Sequence, residues 1–416
     1  MTRTRLFDSK SKEAAVKSMV TGMAPLDLQL YFQRIKHKWL QNFNIIRCKK
    51  PEVGTILASS FILPLIFYIK QTWVKESSLV SLTHPVAMLA IESQLAASGG
   101  AEISDGFIPL IDMKELQGPH RSEIVQQIGQ ACQHYSFFLV KNHGISETNM
   151  NNILGTTREF FKLPEPEKMK FCTNDPNKSI KLFMGFKDEI QNVFISREAL
   201  RFSTYPFEDY VNEWPANPPP LRKDVMEYCT SVKRMELALL EAISESLGLE
   251  KDYLAKILCN HGQKISMNYY PVCQEQDLGF TRGVRPHTDP TIITILLQEN
   301  VPGFKVLNNG KWVDVDHIPN TFVIHVGDLL QVISNYRYKS LHHQVYVNCE
   351  KQRVSVASYC YPSPDTTIGA AVELIDDEHP AIYRNFTYAE FYEEMWRAVV
   401  QHATDKRLDT FKSSVA

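Results

Sequence analysis

Apolar residues at Ile124, Ile128, Ala131 and Tyr135 share one face of a stretch running over residues 121–135. That spacing predicts an amphipathic helix, with Ser122 as its N-cap. Residues 107–112 read as a short strand and residues 136–140 as an apolar one, after which His143-Gly144 turns the chain. Residues 148–161 read as helix. Residues 164–225, rich in Pro, Asn and charge, read as long loops with short helices. Met235, Leu239 and Ile243 keep helical register over 231–247, and Gly248 closes that helix. After Lys264 the period switches toward two, with strands expected over 265–270, 291–297, 304–307, 312–315, 321–325, 331–334, 343–347 and 354–359. Asn309-Gly310 is a two-residue hairpin signal between two of them. A last helix is expected over 388–400. About eight short strands separated by turn residues suggest a sandwich or jelly roll.

The first hundred residues break this pattern. From Met1 to Glu52 there are eleven Lys/Arg against four Asp/Glu, followed by an apolar run over 53–69 flanked by Lys49, Lys50 and Lys70 and containing Pro64. Seventeen residues is the short edge of a membrane helix, and the run starts too far from Met1 for an ordinary signal peptide. Three readings stay open: a membrane anchor, a poorly ordered extension, or a translated stretch outside the working protein. A transit peptide fits less well, because the segment is not Ser-rich. Residues 96–106 read as a linker. The expected organisation is a basic extension over 1–100, a helical and mixed region over 101–260, a catalytic core over 261–365 and a C-terminal helical segment over 366–416.

Composition adds limits rather than chemistry. Of 416 residues, 44% are hydrophobic and 22% charged, as in folded soluble proteins. A net charge of -2 gives no basic field for nucleic acid. Eight scattered cysteines without a C-x-x-C pair speak against a disulfide scaffold or structural zinc and for a reducing compartment. The expectation is therefore a cytoplasmic monomer without a nucleic-acid partner, the alternative being a protein anchored through 53–69.

Three features of the strand-rich region carry candidate chemistry. In His287-Thr288-Asp289, residues two apart on a strand share a face, so an imidazole and a carboxylate can reach one metal. His343, on a distant strand, would complete a two-His, one-carboxylate face with positions left open on iron(II). Zinc sites built for hydrolysis use similar ligands, so the set alone does not name the metal. His342 should point to the opposite face from His343. Arg353 and Ser355 share a face as well, and a turn over 348–351 would fold their strand back beside His343. A guanidinium fork suits the distal carboxylate of a dicarboxylate, and a serine hydroxyl can add a donor. Taken alone, such an arginine is ordinarily a surface ion pair. Asp328 after Gly327 reads as a turn residue, and His325 reads as a core histidine with its bonds satisfied.

These pieces resemble the plant 2-oxoglutarate-dependent dioxygenases over about residues 107–396. The matching segments include M-N-Y-Y-P (267–271), P-H-T-D-P (286–290), H-V-G-D (325–328), Y-K-S-L-H-H (338–343) and R-V-S-V-A-S-Y (353–359). Y-V-N-E-W-P-A-N-P-P (210–219) and N-F-T-Y-A-E-F-Y (385–392) carry a narrower similarity to the downy-mildew-resistance type, which includes salicylate hydroxylases and flavone synthases. The resemblance implies a mainly β fold: a double-stranded β-helix (jelly roll) core packed with helices. It implies Fe(II) on His287, Asp289 and His343, 2-oxoglutarate as co-substrate on Arg353, Ser355 and Tyr270, with Asn268 a weaker candidate, and ascorbate as reductant. It also implies dioxygen and a small phenolic such as salicylate or a flavanone, hydroxylated or desaturated.

Phe304, Tyr359 and Tyr361 are candidates to line the substrate pocket, or are simply core packing. Where the downy-mildew-resistance type has W-R-D-Y-L, this chain has Ser196-Arg197-Glu198-Ala199-Leu200, so one pocket wall differs. Ser266 and Tyr361 replace the Lys and Glu of relatives that oxidise anthocyanidin precursors, which weighs against that substrate. The altered wall also motivates an alternative, a catalytically impaired jelly roll that binds a small molecule without turnover.

Overall fold

Alternation sets the architecture. In the strand Phe322–Val326, Phe322, Ile324 and Val326 pack into the larger of two apolar clusters, and Val323 packs into the smaller. Phe137–Lys141 divides the same way, with Phe138 and Val140 on one side and Phe137 and Leu139 on the other. Ile293–Gln298 repeats it, with Leu296 alone in the smaller cluster. Side chains of successive strand residues point to opposite faces, so each of these strands is buried on both sides. One face meets helices and the other meets a second sheet. Burying each such Val, Leu, Ile or Phe is worth roughly 1.5–3 kcal/mol.

The computed structural model describes residues 108–413 except 174, 176–177, 189–191, 259–261, 275–280, 309 and 402–406. The expected extension over 1–100, its apolar run 53–69 and the Asn309 of the hairpin signal lie outside the described residues. Among the described residues no helix is long and apolar enough to cross a membrane.

The large sheet has eight strands, in the order Leu110–Asp112, Phe137–Lys141, Phe322–Val326, Ile293–Gln298, Arg353–Tyr361, Gly262–Tyr270, Glu198–Tyr205 and Ile180–Phe183. The first pair is parallel and the rest are antiparallel. A four-stranded antiparallel sheet runs Lys311–Asp314, Phe304–Asn308, His343–Val345 and Val284–His287. Phe304, Val306 and Val345 of this sheet join Phe137, Leu296, Tyr270 and Ala357 of the large one in the smaller cluster. This is a jelly roll with helices packed outside. The eight-stranded sheet draws strands from both the 101–260 and the 261–365 regions.

Several local expectations need correction. The first helix is Arg121–His134, and its N-cap is His120, whose carbonyl accepts from Glu123 and Ile124; Ser122 sits inside the first turn. The long helix is Leu221–Ser246, starting ten residues before the expected 231. Its first turns are charged, yet Leu221, Val225, Tyr228, Cys229 and Val232 keep a buried face. The described residues of 164–225 are not mainly loops: they hold four strands, among them Glu198–Tyr205, which pairs along Gly262–Tyr270. The stretch expected as a strand over 331–334 belongs to the helix Asp328–Ile333, and Asp328 is its first residue rather than a turn residue. All six residues of that helix are buried, so it shows no amphipathic period and reads like a strand. Gly327 precedes it, and a Cβ there would lie 2.1 Å from the Thr291 carbonyl oxygen. Only glycine lets this helix start press against residues 289–291.

Candidate active site

His287 ends the strand Val284–His287, and Asp289 follows in the loop, so the pair does not share one strand face as expected. The loop turns Asp289 to the same point. His343 opens the strand His343–Val345 and pairs directly opposite His287. The third candidate ligand is therefore a ladder neighbour despite its separation in sequence. His287 Nε2 and His343 Nε2 each lie 3.6 Å from Asp289 Oδ1. One ligand atom from each residue falls within 4.8 Å of the others. His342 does not line the pocket; its carbonyl accepts from the Leu307 amide.

The two histidine candidates are each held from behind. His287 Nδ1 faces the Arg285 carbonyl at 2.9 Å, and His343 Nδ1 faces the Leu341 carbonyl at 3.4 Å. Such contacts fix the tautomer that leaves Nε2 free for a metal. The Asp289 carbonyl accepts from the Asp328 amide at 2.8 Å. Between the ligands, the Thr288 carbonyl and hydroxyl are gripped by Arg407, which also pairs with Asp328. Arg407 and Asp328 are both buried. Removing one member of such a pair strands the other, so Arg407→Ala should cost roughly 3–5 kcal/mol in urea unfolding. Replacing both residues by Leu should cost less than that.

Burial holds His287 down to about 4 and His343 well below its ordinary range. Burial raises the Asp289 carboxyl, but the three surrounding imidazoles outweigh it and hold the group ionised well below the usual range. At neutral pH the cluster is thus two neutral imidazoles and one carboxylate, ready to ligate without releasing protons. Between about pH 6.5 and 4 the unfolded chain takes up protons on these histidines that the folded chain refuses. Stability of the metal-free protein should therefore fall as pH drops through that window. Denaturant melts of the metal-free protein at pH 7, 6, 5 and 4 would show this, and His343→Ala should flatten the slope.

Arg353 lines the same pocket as the three candidate ligands. The expected turn over 348–351 exists, with the Glu350 and Lys351 amides on Asn348 Oδ1, but it does not lay the two strands side by side. Arg353–Tyr361 belongs to the large sheet and His343–Val345 to the small one, so the turn crosses between sheets. Arg353 is 2% exposed, yet only its Nη2 is bonded, to Gln298 Oε1 at 2.7 Å. Nε and Nη1 are buried without a partner, an arrangement native proteins rarely leave unless something else completes it. Ser355 shares the face, and Tyr270 lies under the guanidinium at 5.2 Å. Asn268 lines the pocket, but its amide already bonds the Ser266 carbonyl at 3.0 Å.

Phe304 and Tyr359 line the pocket, and Tyr361 does not. It lies two residues beyond Tyr359 on the same face, about 7 Å further along the strand. There it covers Gly262 and stacks on Tyr388 at 6.0 Å. Two of the titratable lining residues, Arg197 and His325, were not anticipated. Arg197 belongs to the segment marked by the missing tryptophan, which was the signal for it. His325 is not a core histidine with satisfied bonds: its Nδ1 is 3.4 Å from Asp289 Oδ2, and it shares the pocket.

The residues fit a metal with a chelating dicarboxylate. Two imidazoles and a carboxylate on one face suit iron(II) with open positions, and a buried guanidinium with two unpartnered nitrogens suits a carboxylate.

A family model described as the 2OG-Fe(II) oxygenase superfamily matches residues 261–362. A second, described as a non-haem dioxygenase in morphine synthesis N-terminal region, matches 108–217. The chain is 45% identical to Protein DMR6-LIKE OXYGENASE 1 of Arabidopsis thaliana over 75% of its own length and 88% of that protein. It is 42% identical to Flavanone 3-dioxygenase 2 of Oryza sativa subsp. japonica, over 71% of this chain and 85% of that one. Among solved structures, JOX2 in complex with 2OG, Fe and JA superposes with a TM-score of 0.66 at 27% identity, covering 77% of this chain and 97% of that chain.

Proposed function

The chain belongs to the 2OG-Fe(II) oxygenases of the plant downy-mildew-resistance type, and from that premise we propose that it hydroxylates or desaturates a small phenolic such as salicylate or a flavanone. It is a 2-oxoglutarate-dependent dioxygenase that uses Fe(II). The observation carrying the proposal is one pocket that holds the three convergent candidate ligands, the buried Arg353 guanidinium with two unpartnered nitrogens and the aromatic faces of Phe304 and Tyr359. The phenolic class is supported by the likeness to a flavanone dioxygenase.

In this reading His287, Asp289 and His343 hold the iron. Arg353 and Ser355 hold the distal carboxylate of 2-oxoglutarate, and the Tyr270 hydroxyl adds a contact. When bound, the iron couples decarboxylation of 2-oxoglutarate by dioxygen, giving succinate and carbon dioxide, to oxidation of the substrate, with ascorbate as reductant. The protein's part is placement. Asp289 and His343 are buried in the pocket between the two sheets. Arg353 fixes which end of the dicarboxylate faces the metal. Phe304 and Tyr359 offer apolar faces to a flat ring.

The test is a mass-spectrometric assay of the full chain with iron(II), ascorbate, 2-oxoglutarate, and salicylate or a flavanone in parallel. Succinate matched by a product that gains one oxygen or loses two hydrogens supports the proposal and separates hydroxylation from desaturation. Bound iron and 2-oxoglutarate with no coupled succinate for either substrate would reject the phenolic assignment and favour a binding protein.

A further inference from the structure

Two of the three metal-facing side chains have a backbone carbonyl behind the nitrogen turned away from the metal position. The carboxylate needs an equivalent, because its two oxygens are alike and either could turn inward. Asp289 Oδ1 is the one placed 3.6 Å from both Nε2 atoms. Oδ2 points the other way, and the side chain there is His325, with Nδ1 at 3.4 Å.

His325 has no other polar partner. It is 2% exposed, and both ring nitrogens are buried without a hydrogen bond of full geometry. Its ring is clamped, stacked on Phe304 at 5.2 Å and 11° and tilted against Phe137 at 4.6 Å. It meets His343 edge-on at 4.9 Å. Pairing of its strand with Ile293–Gln298, His325 opposite Thr294, fixes the height at which the ring enters the pocket. A buried polar ring without a full hydrogen bond is costly to keep, so its position calls for a function. It is not one of the three residues whose ligand atoms converge.

We propose that His325 is a positioning residue of the metal site: with the proton on Nδ1 it donates to Asp289 Oδ2, leaving Oδ1 alone to face the metal. This rests on the assignment of His287, Asp289 and His343 as ligands. The ring also shapes the pocket wall beside Phe304, so the group that orients the carboxylate touches the space offered to substrate.

Cobalt(II) binding to the full chain, without 2-oxoglutarate, tests this through the dissociation constant and the visible d–d spectrum. Loss of an outer partner of a metal ligand typically weakens affinity about 10–100-fold. His325→Phe should therefore weaken cobalt(II) binding by about that factor while keeping the wild-type band positions. His325→Asn, whose amide can still donate to Oδ2, should recover most of the affinity. Thermal melts of the metal-free variants separate a folding defect from a binding one, and the Asn variant keeps the test decisive if the Phe variant does not fold. A folded His325→Phe with wild-type affinity, or an Asn variant with shifted bands, would overturn the proposal, the second outcome pointing to direct ligation by His325. If Asp289→Ala bound cobalt(II) as wild type does, the ligand assignment itself would be wrong, whatever the His325 variants did.

Discussion

Asp289→Ala is expected to abolish iron-dependent turnover, with succinate formation falling to the level of a metal-free control. Asp289 supplies the only anionic donor of the three, and it is 5% exposed, so water cannot easily replace it in place. Two neutral imidazoles remain. The loss should exceed the roughly 10–100-fold that removing a mere outer partner costs. The backbone should hold, because the Asp289 carbonyl bond to the Asp328 amide and the Arg407 grip on Thr288 do not involve the deleted carboxylate. His343→Ala should behave the same way, since His343 faces His287 across the ladder and no other described histidine joins the convergent set. Succinate release and iron content measured together check this. Turnover at the wild-type rate in either variant would remove the ligand assignment.

Arg353→Ala should act on the co-substrate and leave the metal. The guanidinium has two unpartnered buried nitrogens, and each charge-assisted bond to a carboxylate is worth about 1.5–3 kcal/mol. Losing two of them should raise the half-saturating 2-oxoglutarate concentration on the order of 100-fold or more, a tenfold change being 1.4 kcal/mol. Iron affinity without 2-oxoglutarate should stay near wild type. Arg353→Lys keeps the charge but not the planar fork, so it should fall between the two. Succinate formation titrated against 2-oxoglutarate is the measurement. Unchanged dependence in Arg353→Ala would show that the dicarboxylate sits elsewhere.

What was legible in the sequence, and what was not, follows from the range of the interactions. Arg353 and Ser355 share a strand face as their spacing of two implies, whereas His287 and Asp289 sit in a recognisable short motif that the loop after the strand, not the strand itself, brings to one point; most of the strands around them could be read from alternation. The helix Asp328–Ile333 could not, because a short element buried on all sides shows no period. The strand Glu198–Tyr205 was hidden by its charges: Glu198 is taken up by Lys168 at 2.6 Å, and the Arg201 guanidinium sits over the Tyr359 ring at 5.4 Å. His325 and Arg407 were missed for one shared reason. Their partners, Asp289 and Thr288, lie far away along the chain, so nothing in the local pattern distinguishes F-V-I-H-V from an ordinary core strand.

The Arg407 contact has a consequence for the order of assembly. Thr288 is made early and its clasp 119 residues later. Without Arg407, the carbonyl between His287 and Asp289 would lack its buried cation, and Asp328 would lose its ion-pair partner. A product truncated before Arg407 would keep His287, Asp289 and His343 yet lack the clasp on the residue between the first two.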